Sequence, residues 1–166
     1  MQVPHRKPGQ FTHLKPDPLL TQAKFNELKQ ELLKLKDVTR PWAASEVRRL
    51  AELGDFSENV EYQLAKGRLR GINNRITTIE SHLNLAQIIP EEQQTDTVQI
   101  GHTVTVSSNG QQKNYQILGS SETDPKQGII SHTSPVGAAL LGHRVGESVK
   151  LHLANKEIEY KITKIR

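Results

Sequence analysis

Two runs of apolar residues in the first half of this chain share one spacing, and they constrain the fold more than any other feature. In each run an apolar or small residue recurs at alternating intervals of three and four, which is typical of a helix that packs along one narrow stripe. Thr21 precedes the first run and is a suitable N-cap. The runs predict two long helices within residues 21–89. Their seam positions are Phe25, Leu28, Leu32, Leu35, Thr39 and Trp42 in the first run, and Tyr62, Ala65, Leu69, Ile72, Ile76, Ile79, Leu83 and Ala86 in the second.

The two runs also predict how the helices pair. When Phe25 is set opposite Ala86, each later seam position of the first run falls opposite a seam position of the second. This constant relation describes an antiparallel hairpin whose midpoint lies between Asp55 and Phe56. We therefore expect an antiparallel coiled coil that turns at a tip formed by residues 54–59.

A proline interrupts the first run and disturbs the register beyond it. Pro41 has no N–H group, and its ring clashes with the preceding turn of a regular helix, so a kink or a lost hydrogen bond is expected. After it the apolar residues move to Ala43, Val47 and Leu50. We expect the outer third of the hairpin to be distorted or loosely wound.

The composition fits an elongated protein. Only 34% of the 166 residues are apolar and 4% are aromatic, which is low for one round globule of this length. The absence of cysteine excludes disulfides, zinc–cysteine sites and thiol catalysis, and it suits a reducing cytoplasm. No apolar stretch approaches the ~20 residues of a membrane span. The net charge of +4 permits a nucleic-acid partner without requiring one.

The remaining segments predict an α+β protein. Residues 1–20 contain four prolines and are expected to be a flexible tail, and residues 90–97 a polar linker. Residues 98–166 change to a period of two, which predicts a small antiparallel β-sheet. Asn109-Gly110 is a strong hairpin-turn signal, and Ser134-Pro135 favours the start of one short helix.

The predicted tip concentrates charge of one sign. Four acids and no base occur from Glu52 to Glu61. Asp55 and Glu58 are close enough in sequence to reach one ion, and two carboxylates form an incomplete Mg²⁺ site that another molecule would complete. Helix capping and solvation are the alternative explanation for these acids. Behind the tip lie four bases, which form either a track for a phosphate backbone or a solvated helix surface: Lys66, Arg68, Arg70 and Arg75.

The run GDFSENVEYQLAK and the later run ISHTSPVGAALLGHRVGESVKL resemble the bacterial Gre family of transcript cleavage factors. The resemblance covers about residues 21–166. It implies that residues 98–166 form an FKBP-like domain that binds RNA polymerase, while the coiled coil enters the secondary channel of that enzyme. The expected polymerase-binding residues are Ser134, Pro135, Leu140 and Leu141.

The same resemblance implies the roles of the tip residues. Asp55 and Glu58 match the acids that act in catalysis by holding Mg²⁺ jointly with the polymerase, and Phe56, Ser57 and Asn59 would shape the tip. The four bases would face nascent RNA in backtracked complexes. The protein itself would not be an enzyme but would stimulate hydrolysis by the polymerase. We expect a cytoplasmic monomer that binds no membrane and holds no Mg²⁺ alone.

Two other functions remain open. An inhibitory Gre homologue, or another coiled-coil adaptor of the polymerase, would bind without promoting cleavage; the intact pair Asp55 and Glu58 argues against this. A prolyl isomerase is suggested by the FKBP-like resemblance, but such enzymes use aromatic-lined pockets. Residues 90–166 offer only Tyr115 and Tyr160 as aromatic residues, which disfavours that activity.

Overall fold

A long helical hairpin forms the N-terminal half of the structure. This computed structural model describes residues 17–53, 60–91, 95–153 and 156–166. The Thr21 hydroxyl accepts a hydrogen bond from the Lys24 N–H, so Thr21 is the N-cap, as predicted. The 26 residues of the second arm span about 39 Å at the rise of an α-helix. The first arm consists of α1 (Gln22–Lys34), a π-helical segment (Leu35–Thr39) and α2 (Arg40–Glu52), and the second arm is α3 (Val60–Leu85).

The packing of the two arms confirms the predicted seam over most of its length. Every seam position predicted in α3 is buried or half-buried, from Tyr62 to Leu83. At the end near the sheet, Leu28 forms a buried cluster with Leu20 and Ile79. The residues that pack around this cluster belong to both arms, as the antiparallel pairing requires: Phe25, Leu32, Leu35, Leu83 and Ala86.

The predicted register is wrong at Trp42, and the cause is one inserted residue. In the π-helical segment the Arg40 N–H bonds to the Leu35 carbonyl, five residues back. A π turn holds one residue more than an α turn, which rotates all later positions by about 100°. Trp42 is therefore 55% exposed, while Ala43 and Leu50 take the seam positions at 2% and 3% exposure.

The inserted residue also accommodates Pro41. A proline inside an α-helix lacks a donor and clashes with the carbonyl four residues back, and the wider π turn lies just before it. The distortion expected near Pro41 is thus confirmed as a defined insertion. The expectation of loose winding beyond it is wrong, because α2 continues as a regular helix to Glu52.

The C-terminal sheet has five strands in the order β5-β4-β3-β7-β6. Asn109 and Gly110 connect β3 to β4 with φ angles of 50° and 78°, which confirms the predicted tight turn. The Ser134 hydroxyl caps α4 (Pro135–Leu140), the predicted short helix. The strands are β3 (Thr103–Ser108), β4 (Gln111–Leu118), β5 (Ile129–Ser131), β6 (Ser148–Leu153) and β7 (Lys156–Ile165).

One pairing departs from the antiparallel prediction. The pairs β3–β4, β3–β7 and β6–β7 are antiparallel, but β4 and β5 are parallel. The segment 119–128 carries the chain back so that β5 runs in the same direction as the last residues of β4, with Ile129 opposite Gln116. The core of the sheet contains Val98, Val104, Val106, Ile117, Leu140, Val149, Leu151, Tyr160, Ile162 and Ile165.

The predicted flexible tail is wrong for its last four residues. β1 (Leu19–Leu20) pairs in parallel with β2 (Gln87–Ile88), and the Leu20 side chain is completely buried. Residues 1–16 lie outside the described residues. Among the helices described, none combines the length and apolar character that a membrane crossing requires.

Replacing Leu50 and Trp42 in turn with alanine tests whether the inserted residue shifts the register of the seam. Leu50→Ala is expected to lower the free energy of unfolding by about 2–4 kcal/mol, because it leaves a cavity in the seam. Trp42→Ala is expected to cost less than about 1 kcal/mol, because the indole lies outside the seam. Urea denaturation followed by circular dichroism measures both. A greater loss for Trp42→Ala than for Leu50→Ala would contradict the register described here.

Candidate functional site

The predicted tip is joined to the ends of two well-defined helices. α2 ends at Glu52 and α3 begins at Val60, at the end of the hairpin opposite the sheet. The predicted catalytic acids Asp55 and Glu58 lie outside the described residues, as do Phe56, Ser57 and Asn59. In the described ranges, no group of three or more histidine, aspartate or glutamate side chains could hold a metal ion. The Mg²⁺ ligands therefore stay a prediction.

The four predicted RNA-facing bases do not form one row on α3. Residues four or seven apart share a helix face, so Lys66 and Arg70 lie on one side and Arg68 and Arg75 on the other. Lys66 and Arg70 line a shallow hollow of about 270 Å³ together with Gln63 and Gly67. The Arg68 guanidinium lies 5.8 Å from the centre of the Trp42 ring.

Arg75 differs from the other three because it is bound to the opposite arm. Its Nε and Nη2 atoms each donate to the Glu31 carboxylate at 2.8 Å. These hydrogen bonds raise the pKa of Arg75 and lower the pKa of Glu31. In the described part of the chain, no carboxylate lies within ion-pair distance of Lys66, Arg68 or Arg70. Three of the four predicted bases therefore have no ion-pair partner among the described residues.

A junction of hydrogen bonds fixes how the hairpin leaves the sheet. The Thr21 N–H and hydroxyl both donate to the Glu122 carboxylate, at 2.7 and 2.6 Å. The Leu19 carbonyl lies so close to Gly119 that a Cβ there would come within 2.1 Å of its oxygen. Glycine is thus required at this contact between the first residues of the hairpin and the sheet.

Asp17 connects several segments at this junction. Its carboxylate accepts hydrogen bonds from the Ser120 N–H at 2.7 Å and the Leu19 N–H at 3.1 Å. The His132 Nδ1 lies 3.4 Å from the same carboxylate, and the His82 Nε2 lies 2.9 Å from the Asp17 carbonyl. No local sequence pattern indicates this role, because Asp17 and Ser120 are far apart along the chain.

The predicted polymerase-binding residues separate into surface and supporting positions. Leu140 is completely buried in the sheet core, so its prediction as a contact residue is wrong: its side chain supports the fold. The Ser134 hydroxyl accepts from the Gly137 N–H and donates to the Ser131 carbonyl. Leu141 is half-buried, whereas Pro135 is exposed, as is its neighbour on α4, Ala138.

The two aromatic residues of the sheet pack on each other. The Tyr115 and Tyr160 rings meet edge-on with centres 6.1 Å apart. Burial, followed by the hydrogen bond with Tyr160, raises the pKa of Tyr115 to about 12. This arrangement gives no support to the aromatic-lined pocket that a prolyl isomerase uses.

The protein therefore belongs to a class in which a long helical hairpin with a charged surface projects from a small β-sheet. The model of the family described as "Transcription elongation factor, N-terminal" matches residues 18–88, and that described as "Transcription elongation factor, GreA/GreB, C-term" matches residues 93–166. The chain belongs to the GreA/GreB family of transcription elongation factors.

Two sequence relatives agree with this assignment. The transcription elongation factor GreA of Macrococcus caseolyticus is 40% identical over 149 residues, which cover 88% of this chain and 94% of that protein. GreA of Acetivibrio thermocellus is 40% identical over 151 residues, which cover 89% and 95%. The structure of GreA factor homolog 1 (Gfh1) of Thermus thermophilus covers 89% of this chain and 97% of its own at 27% identity, with a TM-score of 0.42.

Replacing Asp17 tests the junction through its pH dependence. Burial alone would raise the pKa of Asp17, but hydrogen bonds from Ser120 and Leu19 outweigh it and lower the pKa below 3.8. A lowered pKa stabilises the folded state above the pKa of the unfolded chain, and the contribution is lost as the pH falls through the folded value. Asp17→Asn should therefore lower the free energy of unfolding by about 1–2 kcal/mol at pH 7.

Urea denaturation at neutral pH and below the usual pKa of aspartate measures this difference. The gap between wild type and Asp17→Asn is expected to narrow in acid, because the protonated carboxyl loses the same interactions. Asp37→Asn, at an exposed position of the first arm, is the matched control and should change little. A gap of equal size at both pH values would contradict the role of the Asp17 charge.

Proposed function

We propose that this protein is a transcription elongation factor that inserts its coiled-coil tip into the secondary channel of bacterial RNA polymerase and stimulates Mg²⁺-dependent cleavage of backtracked transcripts. One observation carries the proposal. The hairpin is long and thin, and its helices end at Glu52 and Val60, on either side of the acidic segment and away from the sheet. A narrow rod can deliver carboxylates to an active site that a globular protein could not enter.

The donor set at the tip suits the proposed chemistry. Asp55 and Glu58 provide hard carboxylate oxygens, which Mg²⁺ prefers, and two such ligands leave a site that the polymerase must complete. When bound, the ion lowers the pKa of a coordinated water and neutralises charge on the phosphate that is attacked. In our proposal the two carboxylates hold and orient this site, while Phe56, Ser57 and Asn59 shape the tip. The hydrolytic activity belongs to the polymerase.

The charges along α3 support a contact with the extruded RNA. Lys66, Arg68 and Arg70 lack carboxylate partners in the described chain, so each can bind phosphate without first breaking an ion pair. Arg75 is less suited to this role because Glu31 already holds it. We propose that the partners are the polymerase and nascent RNA, and that the factor acts in the cytoplasm as a monomer.

Isosteric substitution of the two tip acids tests the proposal. Asp55→Asn and Glu58→Gln are each expected to lower the rate of transcript cleavage in backtracked complexes by about 10- to 100-fold, because a neutral amide is a poor Mg²⁺ ligand. Binding to the polymerase should persist. Glu52→Gln, at an exposed position on the last turn of α2, is the matched control.

The outcomes separate the competing functions. Full cleavage activity in both tip variants would contradict the assignment of the acids. Binding of the wild-type protein without any cleavage would identify an inhibitory homologue. Neither result is expected if the acids complete the site.

A substitution on α4 tests whether this face binds the polymerase. Ala138 is exposed on α4 beside Pro135, and Ala138→Glu adds a buried charge to any interface there. We expect about a tenfold loss of polymerase affinity. Gln112→Glu makes the same charge change at an exposed position on β4 and should have little effect. Equal affinities of the two variants would place the binding surface elsewhere.

A further inference from the structure

The side chains of Trp42 and Arg68 form an exposed aromatic–cation pair on the side of the hairpin. The guanidinium lies 5.8 Å from the ring centre, within the range of a cation–π contact. Trp42 is the only tryptophan of the chain, and it is 55% exposed. Tryptophan has a large apolar surface that is normally covered, so this exposure needs an explanation.

In the described part of the chain, Arg68 lies near Glu46 without forming an ion pair with it. Two arginines of the first arm have carboxylate partners: Arg48 pairs with Glu52, and Arg49 pairs with Glu46. Within the described residues, no carboxylate lies within ion-pair distance of Arg68. The hydrogen bond from Arg49 is the largest effect on the pKa of Glu46 and lowers it. The charge of Arg68 lowers this pKa further, at longer range. The pair thus offers an aromatic surface next to a cation that is available to an anion.

Exposed apolar side chains lie next to the pair on both arms, and the Glu46–Arg49 ion pair lies one turn after Trp42. Val38, one turn before Trp42, is 62% exposed, and Leu64, one turn before Arg68, is 65% exposed. A Cβ at Gly71 would meet no atom within 4 Å. A glycine in the interior of a helix costs roughly 1 kcal/mol relative to alanine, and packing among the described residues does not explain its presence at this position. A flat ligand can therefore lie against this side of the rod without a steric barrier.

We propose that Trp42 and Arg68 bind one unpaired nucleobase of the extruded RNA strand, with the base stacked on the indole and its phosphate near the guanidinium. Stacking on an aromatic side chain next to a cationic groove is how proteins bind single-stranded nucleic acid irrespective of sequence. Lys66 and Arg70 lie on the opposite side of α3 and raise the positive charge of the rod without lining this pair. A partner protein would gain from the apolar surface alone, whereas the Arg68 guanidinium beside the indole favours a ligand that carries phosphate.

The position of the pair agrees with this ligand. Trp42 precedes Leu53, the last described residue of the first arm, by a distance of about 16 Å along the helix. An RNA strand that passes the tip would reach Trp42 after a few nucleotides. This inference rests on the proposed function, since it takes the extruded transcript as the ligand.

Cleavage assays on two kinds of backtracked complex test the inference. In one the extruded RNA is too short to reach Trp42, and in the other it extends past this residue. The measured quantity is the factor concentration that gives half-maximal cleavage. Trp42→Ala should raise it about fivefold more on the long complex than on the short one, which is the loss of affinity expected for one stacked base. Trp42→Phe keeps an aromatic ring and should restore most of the effect. Leu33→Ala removes another exposed apolar side chain of the same arm and should show no such length dependence.

Fluorescence of the single tryptophan provides a test that needs no polymerase. Short single-stranded RNA at low salt is expected to quench the Trp42 emission, and Arg68→Gln should weaken this binding. Single-stranded DNA should also quench, because the pair contacts base and phosphate, whereas duplex RNA, with its bases already stacked, should not.

The results distinguish this inference from the proposed function. Equal loss on the short and long complexes for Trp42→Ala would mean that Trp42 contacts protein, and the inference would be wrong. It would also be wrong if Trp42→Ala behaved like wild type on both complexes, or if duplex RNA quenched as strongly as single strands. Failure of the wild-type protein to promote any cleavage would overturn the proposed function alone; the absence of quenching by saturating single-stranded RNA would overturn the nucleobase site alone.

Discussion

A single apolar seam between two helices holds the hairpin together, and the shape of the protein depends on it. Two helices that touch along one stripe leave most of their surface in water, which is why 34% apolar residues suffice for this chain. The ion pairs beside the seam, Arg75 with Glu31 and Lys36 with Glu80, lie near the surface, where such pairs contribute little. Burial along the seam therefore supplies most of the cohesion. The exposed faces of the rod are left free to carry charge.

The periodicity of the sequence predicted this seam wherever the helix is regular. α3 has no insertion, so every predicted position from Tyr62 to Leu83 is covered. The first arm follows the prediction as far as Thr39 and departs from it at Trp42. Beyond Pro41 the apolar residues move to Ala43, Val47 and Leu50, each one position after the regular register, and this shift agrees with one inserted residue. The sequence did not indicate that the inserted residue takes the form of a π turn, because proline is equally compatible with a kink.

Local chemistry predicted the turns of the sheet, while contacts between distant segments were not predictable. Asn109-Gly110 and Ser134 act on their immediate neighbours, and both have the expected roles. The bond from the Ser120 N–H to Asp17 joins segments that no local pattern connects. The same limit applies to the parallel pairing of β4 with β5, which depends on the path of the loop before β5. The roles of the tip acids come from the resemblance of their motif to the Gre family. The described residues do not test these roles, because Asp55 and Glu58 lie outside them.

The inserted residue links the packing of the rod to its surface. Without it, the heptad register would set the indole of Trp42 against Leu69 in the seam and turn Ala43 outward. The distance between packed helices depends on the size of the side chains at their contact, so a tryptophan there would separate the arms. With the insertion, Ala43 occupies the seam at 2% exposure, and the arms can approach closely. The insertion that lets the arms approach closely also turns the indole of Trp42 outward beside Arg68, which has no carboxylate within ion-pair distance among the described residues.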